Sequence, residues 1–380
     1  MLPSDLNNFD ILFNLIEPQE VEVATVDLFT PGRIGTLDVP NRIIMSPMTR
    51  SRMLPGGVPS EIAIEYYSQR ASAGLIITEG TAPCAGGLGY ARTPAVETEE
   101  QVTAWKRITE AVRSRGGRMF MQLMHVGRIG HGLNRYTGKP LVAPSAVKAA
   151  GQIWTDGAGM QDLPMPEALS AAEIATVIEE YGRATRNALD AGFQGVELHA
   201  ASGYLPMQFL SSNTNLRTDA YGGSVHKRIR FVLDVLDAMI AAAGTPARVG
   251  IKIAPAMPFN DIKDEDPKET YTTLVRAIAG KNLAYLHVLQ TALPGTFELL
   301  RPLYPGTFAA CGGFTRESGN AALSSGLADF IVYGKLFIAN PDLPKRFAKG
   351  APLASADPGV FYSPGPKGYT DWPSLAAQAE

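Results

Sequence analysis

Cysteine is scarce in this chain of 380 residues, and its scarcity excludes several kinds of protein. Cys84 and Cys311 are the only two cysteines. Two thiols in a chain of this length do not form a disulfide framework, and no cluster of Cys and His has the spacing of zinc ligands. We therefore predict a protein without a metal site that works in a reducing compartment, and we expect it in the cytoplasm.

Long apolar runs and an excess of positive charge are missing as well. No stretch reaches the roughly 18–20 apolar residues that a membrane span needs. The N-terminus, Met1–Glu20, contains acidic residues and has no Lys or Arg before its apolar stretch Phe9–Ile16, which is the wrong charge order for a secretory signal. The formal net charge of −3 gives no general attraction to nucleic acid or to an anionic membrane. The sequence thus predicts neither a membrane nor a nucleic acid as a partner.

Short apolar runs alternate along the chain with longer segments of helical pattern. Eight runs are predicted as buried strands: Arg42–Met45, Leu75–Thr78, Arg118–Leu123, Gly195–His199, Arg248–Ile253, Tyr285–Leu289, Phe308–Cys311 and Phe330–Tyr333. Helical patterns fill most of the gaps: Ser60–Ala73, Gln101–Arg115, Ala171–Ala191, Lys227–Ala243, Pro267–Gly280 and Thr315–Ser325. Parallel neighbours need long crossovers, and eight strands close a barrel, so the pattern predicts an α/β fold of the (β/α)8 TIM-barrel type.

The alternative is an open doubly wound sheet, which needs a glycine-rich phosphate turn after its first strand. Ser46–Arg50 (SPMTR) is not such a turn. Met124–Leu169, after the third strand, is too long for a simple connection, and such loops are usually lids. We expect this excursion to cap the active site, because it leaves the end of the barrel where active sites are built.

Two groups of residues at strand ends are candidates for function. Gly312 and Gly313 follow the seventh strand, and Gly334 and Lys335 follow the eighth. Glycine amides with one cation favour a phosphate site there, and tight turns without a ligand are the alternative. The second group is His199 with Tyr204, five residues later. An imidazole can polarise an oxygen and a phenol can deliver a proton, although His199 alone fits a core position equally well.

Together with these residues, several motifs resemble the Old Yellow Enzyme family of FMN-dependent ene-reductases. The resemblance runs from Leu28–Pro31 to Tyr369–Pro373 and thus covers nearly the whole chain. Its specific pieces are Asn41–Ile43, Ser46–Arg50, Gln122–Leu123, Arg217–Ser224 and Phe337–Leu343. It implies one FMN-binding TIM-barrel domain over residues 24–380, with an N-terminal extension, residues 1–23, outside the match.

The resemblance also implies roles for individual residues. The expected contacts of non-covalent FMN are Pro47, Met48, Thr49, Gly80, Gln122, His199, Lys252, Gly312, Gly313, Gly334 and Lys335. The expected substrate contacts are His199, Ser202, Met124 and Tyr362, and the expected catalytic residues are Tyr204, as proton donor, with His199 and Ser202. The mechanism that the resemblance implies has NADPH or NADH reduce FMN and leave, after which an electron-poor alkene accepts hydride followed by the Tyr204 proton. The family includes monomers and homodimers.

Four residues depart from the family pattern. Ser202 replaces the usual Asn or His, which weakens the two-armed clamp on the substrate oxygen, and Met124 replaces an aromatic residue common in the pocket. Lys252 and Lys335 replace arginines, so a cation is kept but the planar fork of donors is lost. Three interpretations follow: an active ene-reductase on enones, enals, maleimides or nitroalkenes; a site retooled for isomerisation, oxidation or a biosynthetic step; and a flavin-free or flavin-storing binding protein.

We predict that Ser202→Asn raises the rate of alkene reduction, because the amide restores a second donor to the substrate oxygen. Loss of one such donor costs on the order of 100-fold in other enzymes, and part of that factor is expected back. The check is kcat/KM over several enones, and an unchanged or lower value across the panel contradicts the account.

Overall fold

Eight parallel strands close into a barrel in the computed structural model, which describes residues 26–375. In chain order they are β1 (Ile43–Met45), β2 (Leu75–Ile77), β3 (Met119–Leu123), β4 (Gly195–Ala200), β5 (Val249–Ile253), β6 (Tyr285–Leu289), β7 (Phe308–Cys311) and β8 (Phe330–Tyr333). Each strand pairs with its sequence neighbours, and β8 pairs with β1. The predicted TIM barrel and its eight strands are confirmed.

Helices return the chain from one strand to the next. Their bounds are α1 (Ile62–Ser68), α2 (Glu99–Ser114), α3 (Ala171–Asp190), α4 (Leu205–Leu210), α5 (Val225–Arg228), α6 (Arg230–Ala243), α7 (Pro267–Ile278), α8 (Thr296–Leu300), α9 (Arg316–Ser324), α10 (Lys335–Ala339) and α11 (Leu343–Lys349). Capping boxes at Thr98, Ser170 and Thr315 start α2, α3 and α9 by satisfying free backbone N–H groups.

Two helix predictions need correction. The single helix expected over 227–243 begins two residues earlier and is divided into α5 and α6 at Ile229. The helix expected over 60–73 is confined to α1, and backbone hydrogen bonds of the i→i−3 kind close the turns that follow it, at Arg70, Ala71 and Ala73. Both differences lie at segment ends, where local periodicity carries little information.

One end of the barrel is filled by side chains. A short hairpin, Gly32–Ile34 with Leu37–Val39, packs Ile34 and Val39 into a buried cluster with the rings of Phe120, Tyr285 and Phe330. The Phe120 ring occupies the space beside Gly195, and the Tyr285 ring occupies the space beside Gly250, so each ring needs a glycine on the neighbouring strand. The packed end leaves the carboxyl ends of the strands as the place for a site.

The long excursion after β3 carries small elements of its own. Val142–Ala143 pairs with Glu167–Ala168, and Gln152–Thr155 forms an antiparallel hairpin with Gly159–Asp162, called the lid hairpin below. The predicted N-terminal extension, residues 1–23, lies outside the described residues. Between residues 26 and 375, no helix is both long and apolar enough to cross a membrane.

We predict that Gly195→Ala destabilises the barrel, because an added Cβ overlaps the Phe120 ring and the carbonyl oxygen of Arg248. Overpacking of this kind costs about 1–3 kcal/mol, which thermal unfolding measures directly. The matched control is Gly132→Ala, where an added Cβ meets no atom within 4 Å and φ is not positive. Equal melting temperatures for the two variants contradict the prediction.

Candidate active site

A cavity of about 940 Å³ is lined by residues at the carboxyl ends of the barrel strands and in the loops beyond them. Its size lies within the range of small-molecule and cofactor sites. Most of the residues singled out from the sequence line it: Pro47, Thr49, Gly80, Gln122, Met124, His199, Ser202, Tyr204, Lys252 and Tyr362. The strand ends therefore converge on one cavity, called the main cavity below.

A second cavity of about 740 Å³ contains the predicted phosphate residues. Gly313, Gly334 and Lys335 line it together with Arg316, a cation that the sequence reasoning missed. Gly313 has a φ of +75°, and an added Cβ there meets no atom within 4 Å, so its backbone faces open space. The lining also includes Glu317 and Arg346, of which Arg346 is paired with Asp342. Glycine backbone beside Lys335 and Arg316 provides the chemistry that a phosphate group requires.

Met48 and Gly312 line neither cavity. Gly312 packs against the side chains of Gln290 and Phe297. The side chain of Met48 lies close to Gly334: a Cβ added to Gly334 would lie 3.7 Å from the Met48 Sδ. The residues on either side of Met48, Pro47 and Thr49, line the main cavity. Met48 thus lies where the main cavity and the second cavity approach each other.

The turn after β4 places Tyr204 against His199. Ser202 and Gly203 have φ values of +57° and +74°, and Tyr204 caps the N-terminus of α4. A Cβ on Gly203 would lie 2.7 Å from the carbonyl oxygen of Phe259, so this close approach requires glycine. The rings of Tyr204 and His199 then meet edge to face with centroids 5.0 Å apart. The left-handed backbone at Ser202 also accommodates asparagine, which is enriched in that region.

Burial sets the protonation states of this pair. The pKa of Tyr204 is raised well above its usual range, first by burial and then by Tyr90, so the phenol keeps its proton at neutral pH. The pKa of His199 is lowered well below its usual range, first by burial and then by the charge of Lys252. His199 is therefore a neutral imidazole, and its buried Nδ1 has no hydrogen-bond partner within residues 26–375.

A buried carboxylate supports the floor of the main cavity. Glu197 accepts a hydrogen bond from Nε2 of Gln122 at 2.7 Å, and its other oxygen lies 2.9 Å from Nδ1 of His287. All three side chains are buried, and burial lowers the pKa of His287. His287 thus serves as an internal partner of Glu197, and Gln122 is fixed in orientation on the cavity wall.

Two buried arginines hold the C-terminal segment that carries Tyr362. Arg50 donates to the carbonyl oxygens of Phe361 and Gly368, at 3.1 and 2.7 Å. Arg52 donates to the carbonyl oxygens of Val360, Phe361, Gly365 and Lys367. The segment is therefore attached to the loop after β1, and the half-exposed ring of Tyr362 lies at the cavity mouth.

The opposite side of the mouth is formed by residues that the sequence did not reveal. The lid hairpin contributes Gln152, Ile153, Trp154, Asp156 and Met160, and other loops contribute Tyr90, Arg92, Phe259 and Asn260. No local sequence pattern predicts that these residues line the cavity, because tertiary contacts bring them there. The one feature of the sequence that pointed to some of them was the length of the excursion after β3.

Arg92 ties three of these segments together. Its Nε donates to the carbonyl oxygen of Ser51 at 2.8 Å, and its Nη2 donates to that of Tyr362 at 2.9 Å. Its Nη1 is paired with Asp156 of the lid hairpin. One guanidinium thus joins the loop after β1, the lid hairpin and the C-terminal segment, and this arrangement is called the Arg92 clasp below.

The fold and site are those of flavin-dependent oxidoreductases, and comparison with known proteins agrees. Residues 27–354 match the model of the NADH:flavin oxidoreductase / NADH oxidase family, so the chain belongs to this family, that of Old Yellow Enzyme. It is an FMN-dependent NAD(P)H oxidoreductase that reduces activated carbon–carbon double bonds.

Individual relatives match along almost their whole length. A 12-oxophytodienoate reductase 1 from Oryza sativa subsp. japonica is 40% identical over 364 residues, covering 93% of this chain and 94% of the relative. Morphinone reductase in complex with tetrahydroNAD is 42% identical with a TM-score of 0.89, covering 93% and 99% of the two chains. The Old Yellow Enzyme homologue from Zymomonas mobilis is 39% identical with a TM-score of 0.89, covering 92% and 100%.

The residues present fit FMN on structural grounds. The second cavity offers open glycine backbone and two cations for a phosphate, and the main cavity offers an unpartnered imidazole nitrogen on a buried histidine. Gln122, whose amide is oriented by Glu197, and the ammonium of Lys252 supply polar groups for the edge of a flat ring. Met48 lies between the two groups of residues and adds an apolar side chain there.

Proposed function

We propose that Tyr204, His199 and Ser202 carry out the reduction of enones, enals, maleimides and nitroalkenes in the main cavity. The observation that supports this most directly is the edge-to-face pairing of a protonated, buried tyrosine with a neutral, buried histidine on the wall of a cavity that also holds Lys252. The chemistry supplied by bound FMN is the relay of hydride from NADPH or NADH to the β-carbon of the substrate.

His199 binds the carbonyl or nitro oxygen of the substrate in this proposal. A neutral imidazole N–H donates a hydrogen bond to an oxygen that becomes negative as hydride arrives. Ser202 provides a second, weaker contact to the same oxygen, and Met124 and Tyr362 contact the rest of the substrate. Tyr204 delivers its proton to the α-carbon, because its phenol lies in the same cavity and stays protonated at neutral pH.

The cofactor is held by two groups of residues. The ring system would be held by Pro47, Thr49, Gly80, Gln122 and Lys252, which line the main cavity, and Lys252 would stabilise negative charge on it. The phosphate would be held at the second cavity by Gly313, Gly334, Lys335 and Arg316, which line it. Gly312 and Met48 contribute packing rather than direct lining.

The domain organisation, the cap, the cellular compartment and the oligomeric state are proposed as the sequence predicts them. One FMN-binding domain extends over residues 24–380, and the lid hairpin forms part of the cap over the active site. The protein acts in the cytoplasm as a monomer or homodimer, without nucleic acid or membrane partners.

The decisive experiment is purification followed by flavin release and turnover. The protein is expected to be yellow, to release FMN on denaturation, and to oxidise NADPH or NADH in the presence of 2-cyclohexenone or maleimide. Reduction of the carbon–carbon bond, identified in the product, separates this function from isomerisation. A colourless protein that gains no absorption with added FMN contradicts the proposal.

We predict that Tyr204→Phe slows oxidation of the reduced enzyme by an enone, because no proton is available for the α-carbon. General acid catalysis contributes roughly 100-fold to 10,000-fold, and a loss of this size is expected. Reduction of the enzyme by NADPH stays near its normal rate. Stopped-flow measurement of both half-reactions tests this, and equal slowing of both contradicts the assigned role.

We predict that Lys335→Met weakens FMN binding, because one charge-assisted contact to the phosphate is lost. Such a contact contributes about 1.5–3 kcal/mol, which corresponds to roughly a 10-fold to 150-fold higher Kd. Fluorescence titration of the apoprotein with FMN measures it. Lys345→Met, on the exposed side of α11, is the matched control. Riboflavin lacks the phosphate, so its affinity is expected to be equal in both variants, and equal FMN affinity contradicts the prediction.

A further inference from the structure

Tyr90 places a second phenol beside the proposed proton donor. Its hydroxyl oxygen lies 3.3 Å from that of Tyr204, and the two rings meet edge to face with centroids 6.1 Å apart. Both residues line the main cavity. The ring of Tyr90 packs against a buried cluster that contains Met124, Val126 and Tyr204, so its position is fixed from the apolar side.

The hydroxyl of Tyr90 also has a polar neighbour in Asn260. Burial raises the pKa of Tyr90, whereas the Tyr204 hydroxyl and the side chain of Asn260 act in the opposite direction. Both Tyr90 and Asn260 line the main cavity, and Nδ2 of Asn260 donates to the carbonyl oxygen of Ser202 at 2.8 Å. Asn260 thus links the surroundings of Tyr90 to the turn that positions Tyr204.

Because Tyr204 is buried, it needs a hydrogen-bond donor beside its oxygen when it gives up its proton. When its proton leaves, a phenolate remains in surroundings that disfavour charge. Among the described residues, Tyr90 is the side chain recorded within hydrogen-bond distance of that oxygen. With both phenols neutral, the Tyr204 hydroxyl donates to that of Tyr90. When the Tyr204 proton has left, the Tyr90 hydroxyl can turn and donate to the phenolate, and a hydrogen bond donated to a charged oxygen is stronger than one between neutral groups.

We propose that Tyr90 is a positioning residue that acts through Tyr204, donating a hydrogen bond to the phenolate that forms as Tyr204 protonates the substrate. This inference rests on the proposed role of Tyr204. In the step, the Tyr204 O–H bond breaks and its proton forms the new C–H bond at the α-carbon. The β-carbon receives the hydride of the established reaction, and Tyr90 keeps its own proton. Water entering the open cavity afterwards restores the proton of Tyr204.

The contacts also explain why the two tyrosines are not interchangeable. The ring of Tyr204 contacts His199, which is proposed to hold the substrate oxygen, whereas the recorded ring contact of Tyr90 is with Tyr204 itself. The proton donor is therefore the tyrosine beside the oxygen-binding residue. Tyr90 lies behind it and changes how readily the proton leaves.

The test is Tyr90→Phe, which removes one oxygen and preserves the ring packing. Oxidation of the NADPH-reduced holoenzyme by 2-cyclohexenone is expected to slow roughly 10-fold, as for loss of a hydrogen bond to a charged group. The solvent deuterium isotope effect on this half-reaction is expected to increase, because proton transfer becomes more rate-limiting. Reduction by NADPH and turnover with ferricyanide, an electron acceptor that needs no carbon-bound proton, are expected to stay unchanged.

Two further variants make the outcome decisive. Tyr136→Phe removes a hydroxyl outside the main cavity, where it accepts from Gln101, and is expected to leave every rate unchanged. Because Tyr90 acts through Tyr204, adding Tyr90→Phe to Tyr204→Phe is expected to cost nothing further, whereas independent effects multiply.

The possible failures are distinguishable. A normal rate and isotope effect in Tyr90→Phe, with a slow Tyr204→Phe, overturns the role of Tyr90 alone. Multiplying effects in the double variant overturn it as well. A Tyr204→Phe enzyme that reduces the enone normally overturns the proposed function on which the inference rests. Equal slowing with ferricyanide and with the enone shows a structural defect and also contradicts the inference.

Discussion

The pairing of the last barrel strand with the first is the interaction on which the site depends. It joins parts of the chain 287 residues apart, as the hydrogen bond from Arg42 to the carbonyl oxygen of Asp329 shows. The ladder continues to Ser46, whose N–H donates to the carbonyl oxygen of Tyr333. Met48 and Gly334 are brought together one step further on, where the main cavity and the second cavity approach each other. A barrel that failed to close here would contain both halves of the site but would separate them.

Burial then determines what the polar groups of the site can do. The same loss of solvent keeps Tyr204 protonated and His199 neutral, so one residue retains a proton to give and the other remains an uncharged donor. Glu197 is equally buried, but it is matched by Gln122 and His287 beneath the cavity. A carboxylate in that position orients neighbouring side chains from behind the cavity wall. The residues proposed to react are thus distinct from the residues that hold the wall in place.

The barrel and the strand ends could be predicted from the sequence because both depend on patterns of residues that are close together along the chain. Runs such as Phe330–Tyr333 are short and apolar, and capping residues such as Thr98 stand next to the helices they begin. Residues at strand ends were predicted as candidates because a closed parallel sheet gathers them at one rim. The structure does bring Gln122, His199 and Lys252 to one cavity, while Gly312 packs against neighbouring side chains instead. Tyr90, Arg92 and Asn260 were not predicted, because long-range contacts alone bring these loop residues to the cavity.

The Arg92 clasp has a consequence for how the entrance can change. Two of its three bonds are to backbone carbonyl oxygens, at Ser51 and Tyr362, and only the bond to Asp156 depends on a particular side chain. Trp154 belongs to the clasp as well, since its Nε1 donates to Oδ1 of Asp156 at 3.1 Å, whereas the exposed side chains of Met160 and Phe259 make no bond to Arg92 or Asp156. The outline of the entrance is therefore set mainly by main chain, and side chains such as Met160 and Phe259 can be exchanged without breaking it. After gene duplication, exchange of those side chains can therefore change the substrate specificity of a copy while the backbone outline of the entrance is kept.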